Sequence, residues 1–446
     1  MRLRRFFRPL VAALGLALVL VSLQGSATAE DLQVRIHGPG QQKVNIFLSS
    51  ARSLSGENAT ELPALAGETY SSLRKNLAFL PFVQSVPGEE ILGKESPGGL
   101  KGDRIDFKRY VMSKVDFLLT FGFRERRGGQ VQMELRVFRT SSAELFVGRG
   151  YVVRNTRQAE AAAKKFCADF MQDLTGEAGF FRSRLAFVRN RGGNKEVFTA
   201  SPQGGSLKGI GGKEDELVMS PAWSWDGKRI AYVRVKRDLH ELIVYNREKE
   251  DSSRISLAGN TIISPAFRPD GRLVVSADPK DNPDIYLLEN GKLGQALVQS
   301  WAIDISPGFD ESGRWMSFVS SRLGNPHIFL KDLRQNKEER ISYEGDYNTG
   351  AAISPSGRYI AYARRTDAGH RIFIHDRERD TTRQLSKGPG NDEAPTWGPN
   401  GYFLAFTSSR SGEYRIYIGS RHGDGVQEVD TGPGAAKGPD WSPELR

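Results

Sequence analysis

A phrase that recurs every 42 to 44 residues, complementary half-units at the two ends of that repeat, and a preceding stretch of mixed patterning predict the fold class. It is an N-terminal α/β domain followed by an all-β six-bladed β-propeller. The phrase is an aromatic or apolar residue four positions before a turn glycine: Trp223 to Gly227, Phe267 to Gly271, Phe309 to Gly313, Ile353 to Gly357 and Trp397 to Gly401. The glycines lie 44, 42, 44 and 44 residues apart, the range of a four-stranded propeller blade. A truncated sixth copy, Pro439-Asp440-Trp441-Ser442-Pro443-Glu444, stands at the C-terminus.

Residues 1–29 read as a secretory signal. Arg2, Arg4, Arg5 and Arg8 form a basic start, residues 10–23 an apolar run, and Ala27-Thr28-Ala29 a small-residue cleavage site, so a mature chain would begin at Glu30. Loss of those four arginines lowers the formal charge from +10 to +6. The remaining charges alternate in sign, as in Asp376-Arg377-Glu378-Arg379-Asp380, which reads as a solvated surface and argues against a nucleic-acid footprint. Cys167 is the sole cysteine, so no internal disulfide can form, and its helical apolar surroundings make it a buried small hydrophobe.

Residues 30–178 have the grammar of a compact α/β domain. Gln33-Val34-Arg35-Ile36 and Lys43-Val44-Asn45-Ile46-Phe47-Leu48 read as strands, residues 70–79 carry helical spacing, and residues 115–120 form an apolar buried strand. Residues 130–138 alternate like a half-exposed strand, residues 158–174 form the last helix, and residues 87–102, rich in Gly, Pro and Glu, form the long loop.

Residues 179–446 form the propeller. Asp226-Gly227, Asp270-Gly271 and Asn400-Gly401 supply the turn chemistry of tight hairpins, so the apolar runs around them, such as Ile230-Ala231-Tyr232-Val233, are antiparallel strands. A third strand follows about 15 residues after each glycine, rich in β-branched and aromatic residues: Ile243-Val244-Tyr245, Ile285-Tyr286, Ile328-Phe329, Ile372-Phe373 and Ile416-Tyr417. Arg184-Leu185-Ala186-Phe187-Val188 and Glu196-Val197-Phe198 match the second and third strands but lack a preceding phrase, and the truncated copy at the other terminus is the missing piece. The C-terminus is therefore expected to pair with the segment near residue 185 and close a ring of six blades.

Catalytic signatures are missing from the chain: it has no Gly-x-Ser-x-Gly, His-Glu-x-x-His, Cys-x-x-Cys or Gly-Lys-Ser/Thr. The six histidines have ordinary places on strands or in turns. A paired-carboxylate hydrolase is recognised by separation in space and stays open, with Asp304 and Asp392 as the pair to test. A peptidase, or a generic envelope scaffold with another partner, is the further alternative.

Three stretches carry a family resemblance: Leu174-Thr175-Gly176-Glu177, Phe181-Arg182-Ser183-Arg184-Leu185-Ala186-Phe187-Val188 and Ser220-Pro221-Ala222-Trp223-Ser224-Trp225-Asp226-Gly227. With the ending Trp441-Ser442-Pro443-Glu444-Leu445, they resemble the TolB family, periplasmic components of the Tol-Pal system. The resemblance implies a non-enzymatic periplasmic adaptor, a monomer without cofactor or metal, with no nucleic-acid partner and reaching membranes only through other proteins. It further implies binding of a Pal-like outer-membrane lipoprotein through one propeller face and of a TolA-like inner-membrane protein through the extreme N-terminus, supporting outer-membrane integrity and cell division. The N-terminal segment here is Glu30-Asp31-Leu32-Gln33-Val34-Arg35-Ile36, an alternating strand able to add to a sheet edge.

Propeller geometry places the residues just before each Pro or Ala of the phrase around one channel mouth. They include Asn260, Thr261, Asp304, Asn348, Asn391, Asp392, Glu393 and Lys437, a polar ring suited to a protruding polar loop of a partner.

Overall fold

The structure is a computed structural model and describes residues 43–54, 62–93, 100–176, 180–212, 216–237, 239–257, 261–279, 282–423 and 425–445. The expected signal segment, the strand at 33–36 and the N-terminal segment from Glu30 to Ile36 lie outside the described residues.

The first part is an α/β segment. Its strands are β1 (Val44–Leu48), β2 (Arg52–Ser53), β3 (Val83–Ser85), β4 (Phe117–Arg126), β5 (Gln130–Arg139) and β6 (Glu144–Val153), in sheet order β3-β1-β4-β5-β6 with β2 alongside β4. β1 runs parallel to β3 and β4, whereas β4, β5 and β6 form an antiparallel meander. Gly122 of β4 lies against β2 so closely that a β-carbon would stand 2.6 Å from the Arg52 carbonyl.

Helices α1 (Pro63–Ala78), α2 (Phe107–Met112) and α3 (Thr156–Thr175) complete this segment. α1 begins seven residues before the expected Tyr70; Pro63 at its first position is the start signal, since its missing N–H is no loss there. In α3 the Asn155 side chain accepts from the Gln158 N–H at 2.9 Å while Gln158 Oε1 accepts from the Arg154 N–H at 2.8 Å, and left-handed Gly176 ends the helix. Cys167 is fully buried on its inner face, and burial pushes its thiol well above the ordinary range.

Six four-stranded sheets follow, the blades of a six-bladed propeller. Five are formed by residues 217–256, 262–298, 304–340, 348–384 and 392–428 in simple up-and-down order. The sixth sheet takes Leu185–Arg191, Asn194–Ala200 and Lys208–Gly211 from the start of the region and Ala435–Trp441 from its end. Ala435 pairs with Asn190 and Trp441 with Leu185, antiparallel.

The turns after the five full phrases are hairpins of three or four residues. In the first blade Gly227 N–H donates to the Ser224 carbonyl, Ser224 N–H donates to the Arg229 carbonyl, and the left-handed conformation falls on Gly227 while Asp226 stays out of it. The same bonds recur at Asp310–Gly313–Trp315, Ser354–Gly357–Tyr359 and Gly398–Gly401–Phe403, and one residue shorter at Arg268–Gly271–Arg272. A four-residue turn closed by a left-handed glycine is the three-to-five-residue hairpin solution, and Asp226 serves it by accepting the Lys228 N–H.

The two parts share one hydrophobic core. Phe79 from the end of α1 and Phe82 pack on Phe403 and Tyr402 at the start of a second strand, and Phe180 stands between them, 4.6 Å from Phe403, 5.5 Å from Phe79 and 5.8 Å from Trp441. The Trp441 indole N–H donates to Ser183 Oγ at 2.7 Å, and Arg182 pairs with Glu444 at 2.9 Å. Truncating Phe180 to Ala is expected to cost about 3–5 kcal/mol. All six tryptophans lie in the propeller, so their fluorescence reports it while far-UV circular dichroism follows the helices. The two urea transitions are expected to coincide in the parent protein and to separate in Phe180→Ala, with the helices lost first.

Candidate functional site

The α/β segment meets the propeller at the end that carries the glycine turns, through Tyr402 and Phe403, the Gly204 turn and Gln427. The opposite end is built from the hairpins between second and third strands and from the loops that enter each inner strand. There the expected polar ring takes a different form.

Asp304, Asn348 and Asp392 are fully buried. Asp304 accepts from Arg322 Nη2 at 3.0 Å and from Ser300 Oγ at 2.6 Å. Asp392 accepts from Arg410 Nη2 at 2.9 Å, and its other oxygen has no partner among the described residues. Asn348 accepts from Arg364 Nε at 3.3 Å and donates to the carbonyls of Glu344 and Gly345. The physical reason is that the first residue of an inner strand lies beside the end of the second strand of its own blade, where an arginine 16 or 18 positions later, on that strand or just past it, claims it. Asp304 and Asp392 therefore sit in separate blades, each held by its own arginine.

The other ring members are more open. Asn391 is half-buried and accepts the His370 backbone N–H through its side chain; Glu393 lies 3.5 Å from His370 Nδ1. Thr261 is exposed and its backbone N–H donates to Asp278 Oδ1, while exposed Lys437 sets its ammonium 3.3 Å above the Tyr414 ring. Asn260 lies outside the described residues.

Sequence reasoning missed the apolar side chains at this end. Trp301 is 74% exposed and Tyr343 73%, and Leu323, Ile303 and Leu239 stand out beside them. Trp301 and Ile303 enter the third blade, Leu323 is in its hairpin and Tyr343 leaves it, so four of the five cluster on one blade. The buried polar residues hold these loops. Ser300 N–H donates to Asp284 Oδ1, Ser300 Oγ bonds Asp304, and Asn282 Nδ2 donates to the Trp301 carbonyl at 2.9 Å. Asn348 fixes the turn after Tyr343, over whose ring the Arg340 guanidinium lies at 5.1 Å. A rigid display of Trp, Tyr and Arg is the composition of protein-binding hot spots. The signal available in the sequence was an apolar residue inside an otherwise polar entry loop, as in Gln299-Ser300-Trp301.

The channel behind this mouth holds about 400 Å³ and is lined by the phrases themselves. Each inner strand breaks register at one left-handed residue: Ser220, Ser264, Ser306, Gly350, Ala394 and Gly438, with φ between 47° and 64°. Proline follows in five of the six and removes a ladder donor where the bulge leaves none to pair. Two carboxylates, Glu311 and Asp440, interrupt this lining. Asp440 accepts the Trp223 backbone N–H at 2.6 Å and Thr396 Oγ1 at 3.1 Å, linking the inner strands on either side of its own, and burial pushes its carboxyl up to about 6. Among the described residues no group of three or more His, Cys, Asp or Glu could hold a metal ion, and no helix is long and apolar enough to cross a membrane.

Residues 171–445 match the family model described as the TolB beta propeller domain. A Tol-Pal system protein TolB from Nitratidesulfovibrio vulgaris is 39% identical over 312 residues, 70% of each chain. The chain belongs to the TolB family. A second relative named Tol-Pal system protein TolB, from Desulfosudis oleivorans, is 31% identical over 286 residues, 64% of each chain. The crystal structure of TolB from Acinetobacter baumannii shares the fold, with a TM-score of 0.77 over 92% of this chain and 98% of that one at 20% identity. As a TolB-family component of the Tol-Pal system the chain is non-enzymatic.

Removing Asp304 or Asp392 from this TolB propeller leaves an arginine without its buried counter-charge. Asp304→Ala and Asp392→Ala are each expected to lose about 3 kcal/mol in urea unfolding, with Arg322 partly compensated by Glu338. Asp440 acts in the other direction. Its folded carboxyl binds a proton more tightly than the unfolded chain's, so between about pH 4 and pH 6 the folded state holds the extra proton and stability falls as pH rises. The side chain keeps some access to the channel, so the loss is expected to be about 1–3 kcal/mol. Thermal midpoints across this range should show the slope in the parent protein and a flatter profile in Asp440→Asn.

Proposed function

We propose that this chain is the periplasmic adaptor of a Tol-Pal envelope system. It binds a Pal-like outer-membrane lipoprotein through the open propeller end and a TolA-like inner-membrane protein through Glu30 to Ile36. Residues 1–29 act as the secretory signal, 30–178 as the α/β domain and 179–446 as the propeller, which pairing of the C-terminal strand closes into a ring. The adaptor works as a monomer and supports outer-membrane integrity and cell division.

The observation that carries this reading is the exposed cluster of Trp301, Tyr343, Leu323 and Ile303 at the end of the propeller away from the α/β segment, held in place by buried polar residues. An exposed apolar group of this kind is what a partner covers. In the proposed interface Thr261, Glu393 and Lys437 form a polar rim around the aromatic anchors. Asp304, Asn348, Asn391 and Asp392 act as positioning residues behind it.

The test is calorimetric titration of residues 30–446 with the soluble domain of the Pal-like lipoprotein from the same cell. A Trp301→Ala/Tyr343→Ala double variant is expected to weaken binding by about 2–4 kcal/mol while unfolding like the parent. Deleting residues 30–36 should abolish binding of the TolA-like partner and leave the lipoprotein titration unchanged. Unaltered affinity in the double variant moves the site off this face; no binding by the parent protein overturns the adaptor reading.

A further inference from the structure

The end of the α/β segment away from the propeller gathers arginines. β4 and β5 meet there in the turn Arg127-Gly128-Gly129, β6 ends beside it at Val153, and α3 starts there at Thr156. The 20 residues of α3 set this pole roughly 30 Å from the Gly176 end that leads into the propeller. Arg124, Arg126, Arg127, Arg154 and Arg157 are all exposed on it. Register brings them together: Arg126 pairs with Gln130 and Arg124 with Gln132, and Gln132 pairs with Val152, two positions before Arg154. Strand alternation turns Arg124, Arg126, Gln132 and Val152 to one face of the sheet and the buried Val131 and Val153 to the other.

Little negative charge answers this cluster. Glu125 is the single acidic residue in the stretches 124–132 and 152–158, and it lies on the opposite face of β4, across from Val131. The next acids along the sheet and the helix are already paired, Glu134 with Arg136 at 2.8 Å and Glu160 with Lys164 at 2.7 Å. Among the described residues none of the five arginines stands in an ion pair. Arg124 donates to the Leu54 carbonyl at 2.7 Å and Arg126 Nη2 to Gln132 Oε1 at 2.9 Å, neutral acceptors that orient the guanidinium and leave its charge uncompensated.

We propose that this arginine pole docks directly on a membrane surface of anionic phospholipid. A guanidinium fork matches the oxygens of a phosphate, and each basic side chain held near an anionic leaflet raises the partition coefficient about fivefold. The tip protrudes: a β-carbon on Gly128 or Gly129 would meet nothing within 4 Å. Its guanidiniums are spread over a hairpin, a strand end and a helix start, and headgroups that move laterally can come under each of them. An extended acidic peptide needs instead a groove or a strand edge that fixes its register. Val152, 51% exposed on the same face as Arg124 and Arg126, adds an apolar contact at headgroup level. This contact goes beyond the adaptor reading, in which membranes are reached only through other proteins, and stands whether or not that reading does.

The experiment is co-sedimentation of residues 30–446 with phosphatidylcholine vesicles made with and without phosphatidylglycerol, at low and high salt. Binding is expected on the anionic vesicles alone and is expected to be lost at high salt. Arg126→Gln/Arg127→Gln/Arg157→Gln should weaken it roughly a hundredfold, the product of three fivefold steps. Lys249→Gln/Arg334→Gln/Lys337→Gln removes the same charge from exposed hairpins of the first and third blades and should bind like the parent. Both variants alter exposed side chains and should unfold like the parent. Amide exchange on anionic vesicles should slow at residues 124–132 and stay unchanged at the open propeller end. Equal binding to vesicles without phosphatidylglycerol, or an equal loss in the blade variant, would overturn the proposal. Binding of soluble polyglutamate without binding of vesicles would also overturn it and assign the pole to an acidic protein.

Discussion

A four-stranded sheet with apolar residues on both faces cannot stand alone, and this governs the propeller. Each blade buries its two faces only against its neighbours: Ile230, Tyr232 and Ile243 of the first blade pack toward Ala186 and Val197 of the sixth, while Ala231, Val233 and Leu242 pack toward Phe267 and Val275 of the second. The alternation along one strand therefore reads as continuous apolar sequence, and the phrase residues Trp223, Phe267, Phe309, Ile353, Trp397 and Trp441 fill the wedges between inner strands. With every flat face consumed by a neighbour, the surfaces left for recognition are the two ends of the channel and the rim of exposed fourth strands.

Those ends are treated differently. At one, Phe79, Phe82, Phe180 and Trp441 weld the α/β segment to the sixth and fifth blades, so a load placed on the segment reaches the propeller through packed rings and not through a hinge. At the other, loops stay open and carry side chains that water does not favour. Their rigidity comes from carboxylates and amides one layer below, an arrangement in which burial of charge contributes to shape more than to stability.

The repeat was legible because turn chemistry is local: a glycine that must adopt positive φ sits at the same place in five of the six blades, and its aromatic or apolar partner lies four residues away. The six bulges lie before the aromatic or apolar residue of each phrase and are marked in five of them by a proline inside the strand, a bulge signal on its own. The roles of Asp304, Asn348 and Asp392 could not be read, because a polar residue at a loop end looks solvated until the arginine 16 or 18 positions later is seen to cover it. β6 escaped for a related reason: Gly148 and Gly150 interrupt its pattern, and it is recognised as a strand through its pairing with β5. Trp301 taken alone carries no signal of its exposure, because a tryptophan beside a strand is as readily a core residue.

The sixth sheet mixes the earliest and the latest strands of the propeller. Residue 190 finds its partner at residue 435, and the Arg182–Glu444 pair joins positions 262 apart. During synthesis, the edge of Leu185–Arg191 must wait, unpaired, while five blades are made. A strand left waiting in this way is a template for pairing with another chain. Assembly is thus quality-controlled by its own last step: a chain stopped short of the final dozen residues retains five complete blades and one adhesive edge, so premature termination yields material prone to clump instead of a slightly shorter working protein.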